Sequence, residues 1–247
     1  MCRMVGAVFR DRFPTRSLVE LRHISKVGRP LDPGDDPGHP DGWGMVSFRG
    51  GSPRYVGRST MPAYVDASFD SAMSSLKEID PPNIVIAHAR KGSEGEISME
   101  NTHPLVSEGL VFAHNGTVKE FFPQTSHKPK GRTDSERILM LLADRYLEQG
   151  DLGSALRTLI TKELPPYEYS AKIFLVSDGK KLYGYREYSD PKSDWYYMLK
   201  VARSEDSAVL FQEVSDESSV GGDVREVKNG ELVTVDLGLN VEVGRLV

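Results

Sequence analysis

Apolar residues occur in short runs along this chain, broken every few positions by Gly, Pro and Asp, and few stretches carry helical spacing. Residues 2–9, 43–48 and 53–57 read as strands. Between Asp66 and Glu78, the residues Ala67, Phe69, Ala72, Met73 and Leu76 fall near a helical period and predict a helix, which Pro81-Pro82 stops. Asn83 to His88 and Leu110 to Ala113 are nearly continuous apolar runs, the pattern of central strands covered on both faces. The clearest helix opens at Thr133-Asp134-Ser135-Glu136 and runs through Ile138, Leu139, Leu141, Leu142 and Tyr146 towards Gly150. Either Thr133 with Glu136 forms a capping box, or Asp134 caps alone. A second helix spans about Leu152 to Lys162. From Ser170 the pattern returns to strands, at about 171–177, 181–187, 195–202, 207–213, 231–236 and 240–245, with Asp178-Gly179 and Asn229-Gly230 as hairpin signals and Ser215 to Gly222 as a polar loop. This order fits an α+β chain with two sheets sandwiched between helices, in one domain over residues 1–247.

At 247 residues the chain is long enough to bury a large core without disulfides or metals. Its single cysteine excludes an internal disulfide framework and any multi-cysteine zinc or iron–sulfur site. No stretch approaches the roughly 18 consecutive apolar residues of a membrane helix, so a soluble, cytoplasmic protein without a membrane partner is expected. The formal charge is −5, from 31 basic and 36 acidic residues, and the basic residues form no stripe, which argues against nucleic acid as a partner. His23, His39, His88, His103, His114 and His127 show no short ligand spacing, and neither a metal nor an organic cofactor is expected.

The lone cysteine stands at position 2, where removal of Met1 makes it the amino terminus. A terminal cysteine carries a thiol of pKa about 8.5 beside an amine of about 7.7 to 8.0, so nucleophile and base sit on one residue. The plainer reading is a small buried hydrophobe opening a strand, since Arg3-Met4-Val5-Gly6-Ala7-Val8-Phe9 follows. Other segments carry the same duality. His39-Pro40-Asp41-Gly42-Trp43-Gly44 is either a plain turn or a place where glycines let another segment approach closely. Arg90, after the strand ending Ile86-Ala87-His88-Ala89, is either an ion-pair partner or a carboxylate clamp. Asn115-Gly116, after Phe112-Ala113-His114, is either a turn or a pair of oxyanion donors, and Asp134 either a cap or a ligand.

Taken together and in order, Cys2, Asp41-Gly42-Trp43-Gly44, His88-Ala89-Arg90, Asn101-Thr102-His103-Pro104, His114-Asn115-Gly116 and Thr133-Asp134-Ser135-Glu136 resemble the class II glutamine amidotransferases, the cysteine branch of the N-terminal-nucleophile hydrolases, over roughly residues 2–150. The resemblance is greatest to the short, stand-alone members. It implies a four-layer αββα sandwich with Cys2 presented between the sheets as nucleophile. It further implies that Arg90 binds the substrate α-carboxylate and Asp134 its α-ammonium, that the Asn115 amide and Gly116 N–H hold the oxyanion, that Ser93 and His114 complete the substrate contacts, and that Lys91 to Glu100 closes over bound glutamine. The chain has Lys91 and Glu94 where synthase-fused members typically carry Trp and His.

The chemistry so implied is attack of the Cys2 thiolate on the γ-carbonyl of glutamine or a γ-glutamyl compound, loss of ammonia or an amine, and hydrolysis of a γ-glutamyl thioester. Two enzyme readings follow: a self-contained hydrolase, or a glutaminase subunit passing ammonia to a separate synthase chain, since no phosphate-binding glycine motif opens a helix after residue 150. A binding or regulatory module on the same fold, with Met1 retained, and a papain-like Cys–His enzyme using His88, His103 or His114 are the alternatives.

Overall fold

The computed structural model describes residues 2–93 and 95–247. Met1 and Glu94, on which the expected processing and one of the two loop departures fall, lie outside the described residues.

Strict alternation along β1 (Arg3–Phe9) divides its side chains between two cores. Met4 and Val8 face a second sheet, while Val5, Ala7 and Phe9 face helices. β1 pairs antiparallel with β4 (Asn83–Ala89) on one side and β10 (Ser207–Phe211) on the other. With β2 (Trp43–Arg49), β3 (Ser52–Ser59), β9 (Lys200–Arg203) and β11 (Asp223–Glu226) they form a seven-stranded sheet of order β11-β9-β10-β1-β4-β2-β3. The second sheet has six strands: β5 (Leu105–Ser107), β6 (Leu110–Val118), β7 (Tyr169–Ser177), β8 (Lys181–Arg186), β12 (Glu231–Asp236) and β13 (Val241–Arg245), in the order β13-β12-β8-β7-β6-β5.

Between the sheets, Met4, Val8, Val46, Ile84 and Ile86 meet Val111, Ala113, Ile173 and Leu175. On the outer face of the first sheet, Leu18 and Leu21 of α1 (Arg16–Val27) and Phe69 and Ala72 of α2 (Ala67–Ser75) cover Ala7, Phe9, Met45 and Val85. On the outer face of the second, α3 (Asp134–Gln149) and α4 (Leu152–Thr158) bury Ile138, Leu142 and Leu156 against Phe112, Phe174 and Val176. The result is the αββα sandwich that the resemblance implied, and burial of sheet faces on both sides accounts for its unbroken apolar strands.

Local chemistry fixes the ends of these elements. Thr133 caps α3 by accepting from Glu136 N at 3.2 Å, whereas the Glu136 carboxylate accepts from Lys130 N and Gly131 N. The capping box is therefore half formed, and Asp134, being the first helical residue, is left to other work. The second predicted helix ends α4 at Thr158 and continues as one π turn over Leu159–Glu163.

Four sequence expectations need correction. Helix α1 was not foreseen, because its buried stripe is thin, Leu18, Leu21 and Ile24, set among charged residues. The strand expected at 195–202 begins only at Lys200: the N–H groups of Tyr196 and Tyr197 donate to Ser193 O, so the aromatic run is a turn. Strands β5 and β11 escaped notice because β5 is three residues long and β11 is exposed throughout, without alternation. Asn229-Gly230 is not a hairpin; it passes the chain from β11 in one sheet to β12 in the other. Asp178-Gly179 does link the paired strands β7 and β8.

Candidate active site

Strand parity brings the first functional groups together. On β1, Cys2 shares the inter-sheet side with Met4 and Val8; on β6, Asn115 shares it with Val111 and Ala113. The two meet where the sheets open: Cys2 N donates to Asn115 Oδ1 at 3.2 Å, and the Cys2 thiol lies 3.5 Å from the carbonyl of Lys91. Burial pushes the Cys2 thiol pKa up, against the opposing pull of the Arg90 and Arg3 charges, so an unassisted thiolate is scarce near neutral pH.

Arg90 follows β4 directly. Its N–H donates to Gly42 O at 2.8 Å and its carbonyl accepts from Asp41 N at 2.9 Å, so the Asp41-Gly42-Trp43-Gly44 segment holds it like an added pair of ladder bonds. A Cβ on Gly44 would lie 2.6 Å from His103 O, which is the close approach for which the glycines of this segment are needed. Trp43 is an anchor rather than a site residue: its Nε1 donates to Asp66 Oδ2 at 2.9 Å and its ring packs edge-on against Phe69. The Arg90 guanidinium is 2% exposed, with Nη2 donating to Gly95 O at 3.3 Å.

On the helix-facing side of β6, His114 is held by Ser135 Oγ at Nδ1 (2.9 Å) and Ala171 O at Nε2 (3.2 Å), and lies 3.8 Å from Asp134 Oδ2. Asp134 itself accepts from Val118 N at 2.7 Å and from Ser135 Oγ. Gly116, with φ 144°, admits no side chain, since a Cβ would fall 1.9 Å from Ala171 O. Cys2, Arg90, Lys91, Gly92, Ser93, His103, His114, Gly116 and Thr133-Asp134-Ser135 line one cleft, so the structure gathers all seven predicted site residues, with Asn115 forming the wall behind Cys2. The space within this half-open cleft is about 20 Å³, room for about one water. Its outer wall is secured by few contacts: Lys91 Nζ to Asp36 O, Gly92 N to Asp41 Oδ2, and Ser93 Oγ to Thr117 Oγ1, all exposed. Asn101 braces this segment from below, donating to Glu96 O and accepting from Arg132 N. Among the described residues no cluster of His, Cys, Asp or Glu could hold a metal ion, and no helix is long and apolar enough to cross a membrane.

Sequence reasoning missed three participants in this geometry: Ser135, which fixes the His114 ring; the Lys91 carbonyl beside the thiol; and Gln212, whose Oε1 accepts from Asn115 Nδ2 at 3.2 Å. Ser135 was within a quoted motif; Gln212 carries no local signal beyond its parity with Ala208 and Leu210 after β10.

Three imidazoles are buried here, and their surroundings predict a pH dependence. The His88 and His103 rings lie with centroids 4.6 Å apart, tilted 51° to one another. Burial lowers the His88 pKa to about 3, carries His103 well below the usual range, and lowers His114 as well. The unfolded chain takes up protons near pH 6.5 that the folded chain refuses until far lower, so stability is complete above that value and is lost as pH falls towards 3. The His88 share at pH ~5 is on the order of 2 kcal/mol. Urea midpoints should fall between pH ~7.5 and ~5, and a His88→Phe variant should lose less over the same interval; an equal loss would refute the assignment.

The two-sheet sandwich with a buried thiol at the mouth of its first strand is the fold of the N-terminal-nucleophile hydrolases. Residues 1–217 match the family model of the class-II glutamine amidotransferases, and the chain belongs to that family. It is 30% identical over 199 residues to an uncharacterised protein of Methanocaldococcus jannaschii, covering 76% of this chain and 51% of that one. It is 28% identical over 168 residues to the isomerizing glutamine–fructose-6-phosphate aminotransferase of Xylella fastidiosa, covering 65% of this chain and 24% of the relative. The chain thus spans about half the length of the archaeal relative and a quarter of the bacterial one. A glutamine aminotransferase class-II domain structure from Silicibacter pomeroyi superposes with a TM-score of 0.60 at 17% identity, covering 99% of both chains, which speaks to the fold.

Proposed function

We propose that this protein hydrolyses the γ-amide of glutamine or of a γ-glutamyl compound, using Cys2 as an amino-terminal nucleophile after loss of Met1, with residues 1–247 acting as one domain. The observation that carries the reading is the meeting of Cys2 N with the Asn115 amide in a cleft that also holds Arg90 and Asp134. In the processed protein the Cys2 amine takes the thiol proton, directly or through one water, and the thiolate attacks the γ-carbonyl. A base on the same residue answers the raised thiol pKa, because proton and nucleophile separate only as the amide is attacked. Asn115 Nδ2 and Gly116 N–H receive the developing oxyanion, the amine returns its proton to the departing ammonia or amine, and water then cleaves the γ-glutamyl thioester to glutamate.

Arg90 and Asp134 confer selectivity, since a free amino-acid head presents a carboxylate and an ammonium together and a simple amide presents neither. His114 and Ser135 hold the Asp134 side of the cleft, and Ser93 closes over it. An amino acid is far larger than the space within the cleft, so the Lys91-Gly92-Ser93 wall must part for substrate to enter, and its few exposed latches make that opening inexpensive. An Arg90→Gln variant should raise KM for glutamine about 10- to 100-fold with a smaller effect on kcat, from loss of a charge-assisted contact. A change confined to kcat in steady-state kinetics would remove Arg90 from substrate binding.

The test of the whole reading is the intact mass of the expressed protein followed by glutamate release from glutamine and from a γ-glutamyl peptide. Loss of Met1 with release is expected. Preference for the peptide selects the self-contained hydrolase, and slow glutamine hydrolysis stimulated by a synthase chain selects ammonia delivery. Retained Met1 with no release overturns the proposal and leaves a binding module.

A further inference from the structure

Asn115 faces a problem of direction. Its amide can turn about its own axis at almost no steric cost, exchanging oxygen and nitrogen, yet the proposed chemistry works in one orientation only: the NH2 group must be free to donate to an oxyanion. Nothing in Asn115 itself decides this. Its surroundings do. Asn115 Nδ2 donates to Gln212 Oε1 at 3.2 Å, and Gln212 Nε2 donates to the backbone carbonyl of Met198 at 3.2 Å. Asn115 and Gln212 are 0% and 1% exposed, so water does not compete for either amide.

A backbone carbonyl can only accept. Met198 O therefore dictates that Gln212 presents its nitrogen there and its oxygen to Asn115; that oxygen dictates that Asn115 presents nitrogen to Gln212 and oxygen to Cys2 N. The second Asn115 N–H remains for substrate. The direction holds whether a free Cys2 amine is protonated or neutral: the ammonium can only donate, and the neutral amine could otherwise accept from a flipped Asn115. Reversing the chain would leave two donors facing each other or two acceptors facing each other in a buried site, at the full cost of unpaired polar groups.

We infer that Gln212 is a positioning residue: it locks the Asn115 amide in the orientation that both holds the Cys2 nitrogen and offers a donor to the oxyanion. The inference rests on the proposed reaction for its consequence, but not for its geometry, and the test separates the two. Gln212→Met keeps length and removes both hydrogen bonds; Gln212→Glu keeps shape and the acceptor but removes the donor to Met198 O. Each should lower kcat for glutamine hydrolysis about ten-fold while KM stays within about two-fold, because substrate-head contacts are untouched. In an Asn115→Ala background, Gln212→Met should change kcat by less than about two-fold, since nothing is left to orient. A purely structural role predicts the same factor in both backgrounds, together with a lowered melting temperature, and that result overturns the assignment.

The second measurement needs no turnover. The Asn115 side-chain NH2 signals, identified by their loss in Asn115→Ala, should shift and exchange faster with solvent in Gln212→Met. Unchanged signals refute the lock whatever the activity, whereas shifted signals in a protein that releases no glutamate leave the lock standing and overturn the proposed reaction.

Discussion

Replacing Cys2 by alanine is expected to reduce glutamate release by at least about 10³-fold while leaving the fold intact, because the proposed reaction then loses its nucleophile and the thioester cannot form. The side chain is a small packing element: the thiol lies 3.5 Å from Lys91 O, and the residue is 9% exposed at the edge of the inter-sheet core. Truncating it to a methyl group should cost about 1 kcal/mol and shift the melting temperature by a few degrees. The opposite pattern, a clear loss of stability with unchanged release, would return Cys2 to the status of a buried hydrophobe. Cys2→Ser is a sharper probe. It keeps the size and hydrogen-bonding capacity, but an alkoxide is far harder to generate with an amine than a thiolate, so release should again collapse. A form that retains Met1 should behave like Cys2→Ala, since an amide nitrogen cannot serve as base. As Cys2 is the sole cysteine, alkylation by a thiol reagent reports on this residue alone.

The second large effect is expected at Asn115. Asn115→Ala should lower kcat about 10²- to 10³-fold through loss of one oxyanion donor, a contribution that exists only once charge has developed. KM should move little, since in the proposed reaction Arg90 and Asp134 hold the substrate head. Stability should also fall, by about 1–3 kcal/mol, because the truncation strands Gln212 Oε1 and Cys2 N in a buried site. Asn115→Asp distinguishes the roles: it keeps the acceptor for Cys2 N but offers no donor and places negative charge beside the developing oxyanion, so kcat should fall at least as far. An Asn115→Ala enzyme with kcat within about three-fold of the parent would move the oxyanion site elsewhere in the cleft.

Many of the residues that line this cleft stand out in the sequence. Cys2, Arg90, Asn115, Gly116 and Asp134 were each ambiguous alone, and became informative through their order along the chain; Asn115-Gly116, which the sequence suggested as a turn after a strand, lies instead within β6, paired with β7. The apolar runs of β1 and β4 located Cys2 and Arg90 at strand ends, and the Thr133 cap located Asp134 at a helix start. Less legible were the elements whose stability is not local. Helix α1 buries only three apolar residues, Leu18, Leu21 and Ile24; β11 has no buried face and exists because β9 offers it a ladder; Tyr196 and Tyr197 look like strand residues and instead lie buried in a turn. Asn229-Gly230 carried a sound turn signal, but the strands it joins, β11 and β12, belong to different sheets.

By itself the sequence determined the alternation that sorts each strand between an inter-sheet core and a helix-covered face, the first strand that follows the lone cysteine, and the glycines that only a close backbone approach requires. These are properties of neighbouring residues, and period and turn chemistry write them locally. The tertiary structure alone decided which residues meet across the sheets: Gln212, 97 positions from Asn115, sets the direction of its amide, Ser135 holds His114, and His88 finds His103. Such pairings depend on strand order and register, and on the low-dielectric interior that makes one orientation of a buried amide far cheaper than the other.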